Sequence, residues 1–291
     1  MDNVKIFSSK KELLEFLGIK ESYLYPDFST KYREIQKPKK KGGFRKINPP
    51  NFNLKNIQRK ILDKILIKNP QLECVYGLSK NKSILDNAKL HQKNASAQLL
   101  NLDIKNFFPC ISNKKICEVF KKIGFNKENS LILTKLCTVE KSLPQGAPTS
   151  PYLASMVCLK LDKEIYSFCK RRKFIYTRYF DDISISGENI STKHIKNLEK
   201  IIFKRGFICN EEKKEFFDFN SVKTINSILI SKSGLSVTDS YKEEIKNIYQ
   251  TLLSEKTIQN KRVFRGKFGF YLYINRKEAL AFLKELKEKR L

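Results

Sequence analysis

Apolar residues recur at helical spacing in several stretches of the chain. Between residues 8 and 25, Leu13, Leu14, Phe16 and Leu17 form a stripe, with Ser8 or Ser9 placed to cap it. Ile57, Ile61, Leu62, Ile65 and Leu66 predict a helix from about 54 to 67. Two more are expected over 113–122 and 129–138. Leu153, Met156, Val157, Leu159, Leu161 and Ile165 predict a long helix over 152–168. Residues 191–205 read as a helix closed by Gly206-Phe207, and the chain is helical from about residue 240 onward.

Other stretches have the character of strands. Gln98-Leu99-Leu100-Asn101-Leu102-Asp103-Ile104 reads as a buried strand ending at an acid, and Phe107-Phe108-Pro109 then turns the chain away. Residues 175–187 comprise two β-rich runs around a turn with two adjacent acids, the pattern of a hairpin. Shorter strands are expected at 222–230 and 235–237. Gly42-Gly43, set between Lys39-Lys40-Lys41 and Phe44-Arg45-Lys46-Ile47, predicts a hairpin tip bearing cations, which Pro49-Pro50 stops. The class is therefore α+β. No internal repeat or low-complexity linker interrupts it.

Length and charge narrow the picture. At 291 residues the chain has room for roughly two domains or one lobed fold. Hydrophobic residues at 41% supply a core, which excludes wholesale disorder. Lys and Arg number 58 against 30 Asp and Glu, a net charge of +28. A gene of biased base composition explains many lysines but not the shortage of acids, so a polyanionic partner, nucleic acid above all, is expected. Residues 31–60 carry eleven Lys or Arg and one acid, Glu34, and residues 240–291 carry thirteen against six. The seven cysteines are odd in number and lack Cys-x-x-Cys spacing, and there are two histidines, so neither a disulfide framework nor a zinc site is expected. No run approaches the roughly 20 apolar residues of a membrane helix, and Met1-Asp2-Asn3-Val4-Lys5 does not begin a signal peptide. These features point to a cytoplasmic protein with no membrane partner.

Asp181 and Asp182 lie between apolar runs, where carboxylates are costly unless paired or bound to metal. Alone they are also compatible with an ordinary Asp-Asp turn. Asp103, ending a second apolar strand, changes the weighing. Acids from two neighbouring strands would converge to hold two divalent ions and stabilise the attacking and leaving oxygens of an in-line displacement. Hard oxygen ligands favour Mg2+ over zinc. A basic chain with such a site reads as a nucleic-acid enzyme of phosphoryl transfer, with nuclease and polymerase both open.

The loop at 143–151 tips that choice. Leu143-Pro144-Gln145-Gly146 followed by a helix resembles the reverse transcriptase motif in which Gln and Gly line the nucleotide pocket. Asp103-Ile104-Lys105-Asn106-Phe107-Phe108 resembles the first catalytic motif of that family, and Tyr179-Phe180-Asp181-Asp182 its Tyr-x-Asp-Asp box. The three occur in the family's order and at its spacing, and the resemblance runs from about Lys37 to the C-terminal helices. Among reverse transcriptases the chain most resembles the bacterial retron enzymes. Asn87-Ala88-Lys89-Leu90-His91 is similar to their Asn-Ala-x-x-His element. Two departures stand out. Phe180 replaces the Ala usual in the box, and Ile225-Asn226-Ser227 stands where Val-Thr-Gly is usual.

The resemblance implies a right-hand polymerase with fingers, a ferredoxin-like palm and a small helical thumb. Residues 1–90 would form the N-terminal region and fingers. Residues 91–235 would form the palm, with an inserted finger segment near 112–140, and 236–291 the thumb. It implies that Asp103, Asp181, Asp182 and the Ile104 carbonyl hold two Mg2+ ions. Lys41 and Arg45 would grip the incoming triphosphate, Phe108 would exclude a ribose 2′-hydroxyl, and Gln145 and Gly146 would line the pocket. Lys213 would protonate pyrophosphate. Phe107 is expected in the core. Asn87 and His91 are assigned to RNA recognition, and Lys261, Arg262, Arg265 and Lys267 to the duplex backbone. Interleaved Phe264, Phe268, Phe270, Tyr271 and Tyr273 are expected chiefly in the core.

The implied reaction is RNA-templated DNA synthesis from deoxynucleoside triphosphates on a cognate structured noncoding RNA. It would start from a 2′-hydroxyl of that RNA and yield branched RNA-linked DNA (msDNA), in antiphage defence alongside a separate effector protein. The rivals are a template-independent defence polymerase of the same fold and an inactive RNA-binding protein.

Overall fold

The computed structural model describes residues 6–25, 27–38, 42–79, 81–219 and 221–288. The chain forms two compact units. The first comprises Met1–Leu78, Ile104–Tyr166 and Leu198–Cys209, and the second Ser79–Asp103, Ser167–Asn197 and Asn210–Leu291.

In the first unit the initial stripe forms a helix over Lys10–Leu17, shorter than the span of 8–25. The Ser9 side chain accepts from the Glu12 amide, and Gly18, with φ of 72°, ends the helix in the left-handed conformation. Helix Phe52–Ile61 is capped by Asn51 and followed by one widened turn at Leu62–Leu66. Helices Asn113–Ile123 and Lys127–Cys137 lie against each other and bury Ile116, Phe120, Leu133 and Leu136. Each fully buried side chain of this kind contributes about 1.5–3 kcal/mol. Strands Ile35–Pro38 and Phe44–Ile47 pair as the expected basic ribbon, with Lys37 opposite Arg45. Lys41 lies outside the described residues.

The second unit is built on antiparallel strands. Gln98–Asp103 pairs with Asp182–Gly187 on one side and with Glu215–Phe217 on the other. Asp182–Gly187 pairs in turn with Ile175–Tyr179, which confirms the hairpin over 175–187. The run expected as one strand at 222–230 is instead two, Lys223–Ile225 and Ile228–Ser231, followed by Gly234–Val237. The break falls at Asn226 and Ser227, with φ of 50° and 68°. Positive φ at both loop residues is what a tight two-residue hairpin demands, and Asn accepts it readily.

Helix Ile84–Gln92 starts with a capping box between Ser83 and Asp86. It buries Leu85 and Ala88 in a cluster with Leu99, Ile225, Ile228, Ile230 and Leu235. Helices Asp239–Ser254, Ile258–Ile274 and Arg276–Glu288 complete the unit around Ile245, Phe268, Tyr271, Ala279 and Leu286. Among the described residues no helix is long and apolar enough to cross a membrane.

Candidate active site

Asp103 is the last residue of its strand and is only 4% exposed. Its register partner is Asp182, the first residue of the neighbouring strand. Residues directly opposite in an antiparallel pair project on the same face, with Cβ atoms about 5 Å apart. Asp181 lies in the two-residue turn, with Phe180, between the paired Tyr179 and Asp182. The sequence builds this meeting by anchoring both strands in the core. Leu99, Leu100, Leu102, Ile183 and Ile185 are all buried, so a slip of register would break their packing and part the two acids.

The turn itself is strained. Phe180 has φ of 55°, the left-handed region that a bulky residue enters at a cost of about 1–3 kcal/mol. The buried Arg178 guanidinium donates to the Phe180 carbonyl at 2.9 Å and holds the turn in place.

The electrostatics show the consequence of crowding acids. Burial, then the charges of Asp181 and Asp103, push the Asp182 carboxyl up to about 7, against the opposing pull of Lys213 and Asn226. Lys213 Nζ donates to Asp103 Oδ2 at 2.7 Å, and Asn226 Nδ2 donates to Asp182 Oδ2 at 2.7 Å. Partial burial works to lower the Lys213 pKa, but the Asp103 pair and the charges of Asp181 and Asp182 outweigh it and raise it. Directly opposed carboxylates are destabilising without a cation. Their oxygens are the hard ligands that Mg2+ prefers, so the donor set fits such an ion. Among the described residues no three Asp, Glu, His or Cys side chains stand ready-made in ligand geometry.

The boundary between the units falls at the Asp103–Ile104 bond, and the expected nucleotide-pocket residues other than Lys213 belong to the first unit. Ile104 is buried and its backbone is bridged to Cys209. Phe107 is buried, as core packing requires, while Phe108 is half-buried beside it, with ring centroids 5.3 Å apart. The half-buried Gln145 accepts from the Asn48 amide at 2.7 Å. Gly146 has φ of 108°, and a Cβ there would lie 2.9 Å from Ile47 Cγ2. Only glycine suits that turn. Arg45 is exposed on the basic ribbon.

Lys261, Arg262 and Arg265 are exposed on helix Ile258–Ile274. Lys267 is engaged with Glu244 at 2.8 Å and with the Tyr241 ring. Phe268 and Tyr271 are buried and Phe264 stacks on Phe268, while Tyr273 is exposed.

Asn87 and His91, expected to touch RNA, are 1% and 2% exposed. Their spacing puts both on one face of helix Ile84–Gln92. The His91 ring nitrogens lie 2.7 Å from Ser186 Oγ and 2.8 Å from Thr177 Oγ1. Burial pushes the imidazole down to about 3, so it is neutral at pH 7. Asn87 Nδ2 donates to Asn226 Oδ1 at 3.3 Å. Both side chains are turned to the unit's own strands, where a direct RNA contact has no surface to use. Asn226 is the polar neighbour of Asp182 that sequence reasoning did not assign to the site. Its only signal was its place in the departure at Ile225-Asn226-Ser227.

Residues 35–250 match the family described as reverse transcriptase (RNA-dependent DNA polymerase). The chain is 31% identical over 268 residues to the retron Ec86 reverse transcriptase of Escherichia coli, covering 90% of this chain and 83% of that one. It is 30% identical over 244 residues to the retron Se72 enzyme of Salmonella heidelberg, covering 79% of this chain and 61% of that one. With the retron Mx162 enzyme of Myxococcus xanthus the identity is 33% over 178 residues, 55% of this chain and 36% of that one. Among solved structures, a telomerase from Candida albicans, in complex with a TWJ fragment of telomeric RNA, aligns with a TM-score of 0.54. That match has 11% identity and covers 93% of this chain and 61% of that one. A Candida tropicalis telomerase aligns with a TM-score of 0.55 and 12% identity, covering 89% of this chain and 55% of that one. At such identities the likeness concerns the fold alone.

Proposed function

The chain belongs to the reverse transcriptase (RNA-dependent DNA polymerase) family and to its retron branch, and on that premise we propose that it copies a cognate structured noncoding RNA into branched, RNA-linked single-stranded DNA by two-metal phosphoryl transfer. Its fold is α+β, of the right-hand polymerase kind, and its activity is that of an RNA-directed DNA polymerase. The observation that carries the finer reading is the pairing of Asp103 with Asp182 across two strands, with Asp181 in the adjoining turn.

Asp103, Asp181 and Asp182, with the Ile104 carbonyl, would hold two Mg2+ ions. When bound, such ions acidify the primer hydroxyl and neutralise the departing pyrophosphate. The chain's own groups do the rest. The Lys213 ammonium, kept protonated beside the acids, is a proton donor for pyrophosphate. Lys41 and Arg45 grip the triphosphate, Phe108 meets the sugar where a 2′-hydroxyl would project, and Gln145 and Gly146 shape the pocket floor. Lys261, Arg262, Arg265 and Lys267 follow the duplex backbone. Priming from a 2′-hydroxyl within the RNA, a separate effector protein, a bacterial cytoplasmic setting and a role in defence against phage complete the proposal.

The test is extension of a defined RNA template with one deoxynucleotide withheld. Synthesis stalling at each template position that calls for the missing nucleotide supports the reading. Unaltered polymer growth, or full activity of the double variant Asp181→Asn plus Asp182→Asn, refutes it.

A further inference from the structure

The side chain of Asn226 sits between two others in a file of hydrogen bonds. Its Nδ2 donates to Asp182 Oδ2 at 2.7 Å, and its Oδ1 accepts from Asn87 Nδ2 at 3.3 Å. The order is directional. With the carboxylate ionised, as cation binding requires, Asp182 only accepts, and Asn226 presents its NH2 group to Asp182 and its oxygen to Asn87. Asn87 must then present its own NH2 group. That orientation leaves Asn87 Oδ1 buried without a hydrogen-bond partner among the described residues, a cost the fold accepts.

Both anchors are rigid. Asn87 is 1% exposed on helix Ile84–Gln92, and His91, on the same helix face, is bonded to both strands of the hairpin that carries Asp182. Asn226 itself is fixed at φ of 50° in the tight turn joining Lys223–Ile225 to Ile228–Ser231. The geometry points to Asn226, braced by Asn87, as a positioning residue that fixes the Asp182 carboxylate for the nucleotidyl transfer. This rests on the reading of Asp182 as a catalytic carboxylate. It gives the Asn-Ala-x-x-His element and the Ile225-Asn226-Ser227 departure one shared task. The helix supplies the brace and the turn supplies the amide.

The turn also offers a clean control. Glycine accepts positive φ, so Asn226→Gly keeps the backbone and removes only the amide. The experiment compares wild type, Asn226→Gly, Asn87→Ala, the double variant and Asp182→Asn. Three quantities are read: kcat and KM for deoxynucleotide on an RNA template, Mn2+ affinity by electron paramagnetic resonance without nucleotide, and the thermal midpoint. Loss of a group that orients a metal-binding carboxylate costs about 10–100-fold. Asn226→Gly is expected to lose that much in kcat and in Mn2+ affinity, with KM within about threefold, and to show a modestly lowered midpoint because the buried Asn87 amide loses its acceptor. Asn87→Ala is expected to lose less in the same direction, and the double variant no more than Asn226→Gly alone, because both act through one amide. Wild-type kcat and Mn2+ affinity in Asn226→Gly, with Asp182→Asn inactive, would overturn the positioning role alone. An active Asp182→Asn would instead overturn the catalytic reading on which it rests.

Discussion

Acidification probes the buried face between helix Ile84–Gln92 and the hairpin that carries Asp181 and Asp182. His91 is neutral in the folded chain because burial holds its pKa down at about 3. In the unfolded chain the same imidazole titrates near 6.5. The folded state therefore binds the proton less readily than the unfolded state. The stability this represents is complete above 6.5 and is lost as pH falls from 6.5 toward 3. At pH 5 the gap below the unfolded pKa is about 1.5 units, and at about 1.4 kcal/mol per unit the loss is about 2 kcal/mol. That is a large share of the roughly 5–15 kcal/mol by which domains are stable. The assay is urea unfolding followed by far-ultraviolet circular dichroism at pH 7 and pH 5, on wild type and His91→Gln. Glutamine retains a donor and an acceptor for Ser186 and Thr177 but cannot titrate. Every other titrating group is common to both proteins, so their difference isolates His91. Wild type should lose about 2 kcal/mol more than the variant between the two pH values. Equal losses would mean that His91 protonates within the folded chain, and the buried neutral state would be wrong.

Two further outcomes concern substrate and duplex. Phe108→Ala is expected to lower discrimination between deoxynucleotides and ribonucleotides by roughly 10–100-fold, the scale on which a pocket rejects an added hydroxyl. Competition between the two triphosphates measures it, and unchanged selectivity counts against the gate. Replacing Lys261, Arg262 and Arg265 together by alanine should weaken binding to an RNA–DNA duplex and flatten the dependence of log Kd on log salt by about 2–3, close to one per phosphate contact. An unaltered slope would place the contacts elsewhere. Lys267 is left intact because it is already engaged with Glu244.

Much of the fold was legible because periodicity and burial agree. The hairpin over 175–187 and the strand ending at Asp103 came from near-continuous apolar runs, and the structure buries Leu99, Leu100, Leu102, Ile183 and Ile185 in them. The helices expected over 113–122 and 129–138 begin within two residues of the observed ones at Asn113 and Lys127. The two strands inside 222–230 were hidden, since Asn226 and Ser227 interrupt an apolar run without a Gly or Pro to mark the turn. Helix Ile84–Gln92 was hidden too, because polar Asn87 and His91 share its buried side with Leu85 and Ala88. Their partners Asn226, Thr177 and Ser186 are distant in sequence, and no local pattern encodes such pairings. The same holds for the site. Asp103 and Asp182 were legible as acids at the ends of apolar strands, whereas the Asn226 amide bonded to Asp182 was not.

The acids of this chain are scarce beside its net charge of +28, yet three of them, Asp103, Asp181 and Asp182, crowd together. Asp182 faces Asp103 across the strands, and burial with the neighbouring charges raises its carboxyl to about 7. For a carboxyl the raised value means the folded state holds the proton more tightly than the unfolded state, whose value is 3.8. The contribution is therefore complete at low pH and is lost as pH rises from about 4 to about 7. About three units at about 1.4 kcal/mol each set the cost of ionising this site, without a divalent ion, at up to about 4 kcal/mol at pH 8. Asp182→Asn removes the charge and keeps the shape. In buffer containing a chelator at pH 8 the variant should thus be more stable than wild type, and with Mg2+ restored it should make no DNA. Millimolar Mg2+ should narrow that difference, because the ion stabilises only the chain that retains the full carboxylate set. Urea midpoints with and without Mg2+ measure both effects. A variant less stable than wild type in chelator would show that Asp182 supports the fold instead of straining it, and the case for a site built to receive cations would fail with it.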